Sequence, residues 1–98
     1  KMKLLPGKTA EYKTRHDQIW PDLSDLLRKA GISYYSIFLD DETNILFGTY
    51  TATSDNTIED LPNHPIMQKW WDHMSDIMET KPSNQPVSEP LKSMFYMK

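Results

Sequence analysis

Tyr12, His16 and Trp20 recur at intervals of four in the stretch EYKTRHDQIW (11–20), so a helix would place a phenol, an imidazole and an indole on one face. Leucine at these positions would give the same stripe with no polar group to satisfy. An imidazole has an ordinary pKa of about 6.5, which suits it to taking and returning a proton near neutrality. Phenol and indole neighbours add hydrogen-bonding groups to broad apolar surfaces. The pattern therefore suggests proton transfer on a small, partly apolar ligand. It equally admits a plainer reading, in which His16 is a hydrogen-bonded boundary residue and Tyr12 rests its hydroxyl in water at the helix edge.

The same two readings apply to the other aromatic positions. Trp70 and Trp71 both fit an apolar helical stripe and could be simple core, yet two adjacent indoles bring two N–H donors that need partners if buried. A pocket holding polar ligand atoms would supply them. Tyr34 and Tyr35 are neighbours in a strand-like run, so alternation sends them to opposite faces and one must face the helices. Trp20, next to a proline, reads as core or hinge. His64 stands at a helix start beside Pro65, and His73 lies off the apolar stripe on a solvated face. The three histidines form no H-E-x-x-H or Cys/His cluster, so no metal is expected. The pairs Asp40-Asp41 and Glu59-Asp60 fall in turn-like segments and read as solvated.

Composition narrows the classes further. The 98 residues amount to one small domain spanning 1–98, with no internal repeat. A net charge of −3, with the basic residues scattered among acids, argues against a nucleic-acid partner, which needs a clustered Lys/Arg footprint. No apolar run approaches the ~20 residues that cross a bilayer, and the first residues do not read as a signal peptide, so no membrane partner and a cytoplasmic location are expected. The absence of cysteine excludes Cys-His nucleophilic chemistry. Three glycines are too few for a phosphate-cradling loop, and there is no G-x-S-x-G elbow.

The elements that must position these residues follow from the hydrophobic period. KMKLL (1–5) reads as a strand ended by Pro6-Gly7. A helical period runs from about Lys8 through Trp20, where Pro21 predicts a kink or break and also suits the first turn of a second helical piece. Leu23, Leu26, Leu27 and Ala30 stripe that piece, and Gly31 suits the position just past its end. ISYYSIFL (32–39) and NILFGTYTA (44–52) predict a hairpin around DDET (40–43). A short helical turn is expected from Ser54 to Leu61, stopped by Pro62. A longer helix follows over 63–80, with Asn63 as its cap and Met67, Trp70, Trp71, Met74, Ile77 and Met78 as its stripe. A polar Pro-rich loop (81–90) and a last strand, LKSMFYMK (91–98), complete the chain. The order β-α-β-β-α-β predicts an α+β, ferredoxin-like fold: an antiparallel sheet with helices on one face. The other sheet face would be left bare, which a homodimer would bury.

In order and spacing, YKTRHDQIWPDL (12–23), GISYYSIFLD (31–40), NILFGTY (44–50), QKWWDHMSDIM (68–78) and KPSNQPVSEPL (81–91) resemble the L-rhamnose mutarotases over nearly the whole chain. The resemblance implies a dimeric α/β barrel enzyme of the cytoplasm that interconverts the α and β anomers of L-rhamnose without metal or organic cofactor. It implies a proton-donor role for His16 and sugar-binding roles for Tyr12, Tyr35, Trp70 and Trp71. Two alternatives share the elements but not the chemistry: a cofactor-free monooxygenase or haem-degrading enzyme of the same barrel superfamily, and a non-catalytic dimeric ligand-binding module.

Overall fold

The two aromatic, β-branched runs pair as an antiparallel hairpin, β2 (Ile32–Asp40) and β3 (Ile45–Ala52), in the computed structural model, which describes residues 1–98. The turn between them is built by Asp40. Its carboxylate accepts from the Glu42 N–H (3.2 Å) and the Thr43 hydroxyl (3.0 Å), and Asn44 takes the left-handed conformation at φ 59° that asparagine tolerates. A short β1 (Met2–Lys3) lies antiparallel to the other edge of β3, with Met2 opposite Leu46, giving the order β1-β3-β2.

Two helical pieces follow β1. α1 (Thr9–Asp17) and α2 (Pro21–Lys29) are separate helices, divided by a non-helical link over 18–20 that includes the break expected at Trp20. Trp20, held extended by the following proline (φ −62°, ψ 130°), caps α2, and Pro21 occupies its first turn. Gly31 then turns the chain into β2 at φ 100°, where a Cβ would run into the Thr53 hydroxyl and come within 2.9 Å of the Asn56 side chain. A 3-10 segment (Ile58–Asn63) leads to α3 (Pro65–Met74).

Both helical layers pack on one face of the sheet. Leu4, Ile32 and Leu46 from the sheet side bury against Leu23, Met67, Trp70 and Met74 from the helices, in one continuous core. One irregularity in β2 shapes this face. Ser33 pairs with Thr51 and Ser36 with Thr49, so β2 carries one extra residue there, and Tyr34 bulges out at φ 50° and 87% exposed. Strict alternation would set Ile32 and Tyr35 on opposite faces; the extra residue lets both point toward the helices.

The molecule departs from the sequence-based expectations in several places. β1 spans only Met2–Lys3 of the expected 1–5, the first helix ends at Asp17 rather than running to Trp20, and the short turn expected from Ser54 to Leu61 starts at Ile58 and runs through Pro62 to Asn63. α3 ends at Met74 rather than continuing to 80. Beyond it the backbone runs beside β1 instead: Leu5 N–H donates to the Ile77 carbonyl and Glu79 N–H to the Lys3 carbonyl, with Leu4 bridging Met78. The free edge of β1 offers these bonds, and Ile77 and Met78 are still buried, so the apolar stripe is satisfied without a helix. The cap of α3 is His64 rather than Asn63, its Nδ1 accepting from the Ile66 N–H at 3.4 Å. Residues 91–98 form no strand. Ser88 bridges Met2, and Glu89 N–H donates to the Lys1 carbonyl, so the edge of β1 is occupied by the segments around 77–79 and 88–89 rather than by 91–98. The place of the fourth strand beside β1 is taken by the bridges from 77–79 and 88–89, and the ferredoxin-like plan of one antiparallel sheet with its helices on one face is retained.

Candidate active site

α1 brings Tyr12 and His16 onto its inner face one turn apart, as the four-residue interval requires. Their rings stack with centroids 4.2 Å apart and planes inclined by 27°. His16 Nδ1 lies 3.0 Å from the Tyr12 carbonyl oxygen. A carbonyl only accepts, so Nδ1 must carry the hydrogen, and the lone pair of the neutral ring belongs to Nε2. Burial lowers the pKa of His16 below its ordinary value; the bond to Tyr12 and the nearby charge of Asp17 oppose that shift without cancelling it. At neutral pH the ring is thus a base, open at Nε2.

α3 supplies the wall against which the imidazole rests. The Trp70 indole meets the His16 ring edge-on, with centroids 5.4 Å apart and planes at 86°. Trp20 meets Trp70 in the same manner at 5.1 Å, and His73 closes the group at 5.4 Å from Trp20 and 5.6 Å from Trp70. Trp70 is 6% exposed and packs behind His16 while still lining the cleft, whereas the half-buried Trp71 has no aromatic neighbour. His73, read from the sequence as merely solvated, is exposed but joins this cluster through its ring.

The sheet supplies the opposite wall. Tyr35 lies across Gly48 of β3, its hydroxyl and Cε1 each 3.7 Å from where a Cβ would stand, and its ring is 5.5 Å from that of Tyr50. Although Tyr35 is 44% exposed as a residue, desolvation of its phenol raises the hydroxyl pKa. The Tyr12 hydroxyl is pushed up further, by burial first and then by the neighbouring Tyr35. Both phenols therefore remain protonated and able to donate across the physiological range.

Tyr12, His16, Tyr35, Trp70 and Trp71 all line a single cleft of about 1010 Å³ between helices and sheet. Tyr50, Gln85 and Ser88 line it as well. None of these three stands out as a site candidate in the sequence, although the inward alternation Leu46, Gly48, Tyr50 is a signal that could have singled out Tyr50. No hydrogen bond within the chain uses the hydroxyls of Tyr12 and Tyr35 or the indole N–H groups of Trp70 and Trp71. None of the Tyr12, Trp70 or Trp71 polar atoms is both fully buried and unpaired, so each keeps access to the cleft or solvent. These are donors waiting on acceptors, on a background of aromatic surface, and a molecule with several hydroxyls and an apolar face would suit them. No group of three or more His, Asp or Glu side chains converges in a way that could hold a metal ion.

Comparison with known proteins bears on what that molecule is. A family model described as L-rhamnose mutarotase matches residues 1–97. An L-rhamnose mutarotase of Jannaschia sp. (strain CCS1) is 58% identical over 97 residues, covering 99% of this chain and 93% of the relative. One from Rhizobium meliloti (strain 1021) is 55% identical over 98 residues, covering 100% and 94%. The crystal structure of an L-rhamnose mutarotase from Formosa agariphila superposes with a TM-score of 0.91 at 50% identity, covering 99% of this chain and 93% of that one.

Because His16 is desolvated, its imidazole should titrate below about 6.5 in the folded protein, read by heteronuclear NMR of the ring. The unfolded chain then binds a proton that the folded one does not. Stability should therefore fall as pH drops through about 6.5 and level off below the folded midpoint. A midpoint at or above about 6.5 would contradict the buried placement of the ring.

Proposed function

The chain belongs to the L-rhamnose mutarotase family, and we propose that His16 is its proton carrier, working through Nε2, with Tyr12, Tyr35, Trp70 and Trp71 holding the sugar. The enzyme is an isomerase that interconverts the α and β anomers of L-rhamnose. The oxygenase, haem-degrading and non-catalytic readings give way to that membership.

Opening a pyranose requires the anomeric hydroxyl to lose a proton and the ring oxygen to gain one. Both oxygens are bonded to the same carbon, so a single Nε2 can face both. In this reading neutral His16 accepts the proton of the anomeric hydroxyl as the C1=O double bond forms and the bond from C1 to the ring oxygen breaks. The imidazolium then returns a proton to the released oxygen. The aldehyde rotates about C1–C2, and the same steps in reverse close the ring on its other face. The Tyr12 carbonyl keeps Nδ1 protonated throughout, so the chemistry stays on one nitrogen. The phenols, held protonated by their raised pKa values, donate to sugar oxygens. Trp71 offers an indole face to the sugar's C–H surface and methyl group. The single observation that carries this reading is the His16 ring itself, tied at Nδ1 and free at Nε2 in a cleft of unpaired donors. A positioned group of this kind contributes roughly 10²–10⁴-fold, enough for a reaction that already proceeds in water.

Residues 1–98 act as one domain in this proposal, supported by the single core, and no organic cofactor or metal is assigned a step. Cytoplasmic residence belongs to the same proposal and rests on the family membership; separately, no helix is long and apolar enough to cross a membrane. We also propose a homodimer joined through the outer sheet face. Phe38 is 63% exposed there and sits directly opposite Phe47 across the hairpin, with Ile45 two residues before it on the same face. An apolar sheet face of this kind is an association surface.

His16→Asn should slow anomer exchange of L-rhamnose about 10²-fold or more while sugar binding weakens little, measured by saturation transfer between the anomeric protons. Tyr12→Phe should act mainly on affinity. Full activity in a folded His16→Asn protein would move the proton-transfer role elsewhere.

Light scattering at micromolar concentration should give twice the chain mass of 11.5 kDa, and Phe38→Lys should reduce it toward one. A monomer mass for the unaltered chain would refute the dimer.

A further inference from the structure

α1 carries the proposed proton carrier, yet little apolar surface holds it in place. Its one buried residue is Tyr12, itself a wall of the cleft, whereas α3 buries Met67, Trp70 and Met74. The other contact that ties α1 down is polar. Arg15, the residue before His16, leaves α1 toward the end of α3. Its Nε donates to Glu11 Oε1 at 2.8 Å, and Nη1 donates to both Asp76 Oδ1 at 2.8 Å and the His73 carbonyl at 2.6 Å. Nη2 completes the fork on Asp76 Oδ2 at 3.2 Å. The arginine side chain is only 14% exposed although its Asp76 partner is 66% exposed, while in the other helix-surface pairs, Lys13 with Asp17 and Arg28 with Asp25, both side chains are more than 60% exposed.

The contact is a cap as well as an ion pair. His73 lies in the last turn of α3, where carbonyls lack helical partners, and a cation there also meets the negative end of the helix dipole. Asp76 is held below the ordinary carboxylate range by its bond to Arg15. A forked guanidinium on a carboxylate fixes direction as well as distance, which a lysine ammonium does not. The two helices joined in this way are those that carry the two edge-to-face rings, His16 and Trp70.

We propose that Arg15 is a positioning residue for the proton transfer: its fork onto Asp76 and the His73 carbonyl sets the turn of α1 that bears His16 against Trp70 on α3, and so aims Nε2 at the anomeric centre. This rests on the reading of His16 as proton carrier. Arg15 touches no sugar atom in this role. It acts by holding the ring within the narrow tolerance that proton transfer demands, where a displacement of ~1 Å can cost about 10²-fold.

The test uses the whole protein with Arg15→Met, Arg15→Lys and Asp76→Asn, and reads kcat, KM and the NMR titration of the His16 ring in each. Arg15→Met should lower kcat about 10-fold or more while KM changes less than about twofold. The His16 midpoint should rise toward its ordinary value as the loosened helix admits water to the ring. Arg15→Lys should restore only part of kcat, because it returns the charge without the fork, and Asp76→Asn should fall between the two. If Arg15→Met does not fold, the other two variants decide by the same readouts. Variants that fold and melt at lower temperature, but keep the kcat and the His16 midpoint of the unaltered enzyme, would overturn the proposal and leave Arg15 as scaffold. The midpoint is read without substrate, so it reports on the clamp even if His16→Asn proves fully active and the proton-carrier reading fails.

Discussion

The bond between His16 Nδ1 and the Tyr12 carbonyl is the constraint on which the rest of the site depends. A half-buried imidazole that has lost much of its water needs at least one of its nitrogens satisfied, or the desolvation cost is uncompensated. Using a backbone carbonyl one turn back meets that need within the helix itself. It also decides the tautomer, since the carbonyl can only accept. Everything asked of the residue chemically then falls on Nε2. The stacked Tyr12 ring and the edge of Trp70 keep the imidazole from turning over to offer the other nitrogen.

That requirement propagates outward into the fold. α1 must present one face to the cleft and yet stop soon after His16, so that Trp20 can swing behind Trp70. α1 ends at Asp17, and Pro21 then holds Trp20 out of helical geometry and opens α2. On the sheet side, the extra residue in β2 rotates Tyr35 inward without exposing Ile32, at the cost of a left-handed Tyr34. The Tyr35 ring lies over Gly48, 3.7 Å from where a Cβ would stand. Helix break and strand bulge thus serve the same end, two walls of aromatic groups facing each other across a cleft.

Much of this was legible in the residues alone. The Tyr12–His16 interval, the break at Pro21, the hairpin and the apolar stripe of α3 depend on period and on local backbone preferences, which are written in neighbouring residues. What was not legible depends on contacts distant in sequence. Ile77 and Met78 continue a helical period, yet the edge of β1, more than 70 residues earlier, captures their backbone as a bridge. The tail 91–98 has strand composition, but the ladder with β1 ends before it. That Tyr35 rather than Tyr34 faces inward depends on a one-residue register slip that alternation cannot foresee. Nothing in the sequence singles out Arg15, because its partner Asp76 is 61 residues away.

The central claim is that His16 works from its neutral form, tied at Nδ1 and reacting at Nε2. The pH dependence of kcat/KM for anomer exchange, corrected for the spontaneous reaction, tests it most directly, because this ratio reports the ionisation of the free enzyme. The rate should be level from about pH 7 upward and fall on acidification, with a midpoint below about 6.5 that coincides with the titration of the His16 ring. A rate that rises as pH is lowered through that same midpoint would mean that the imidazolium is the working form, and would contradict it.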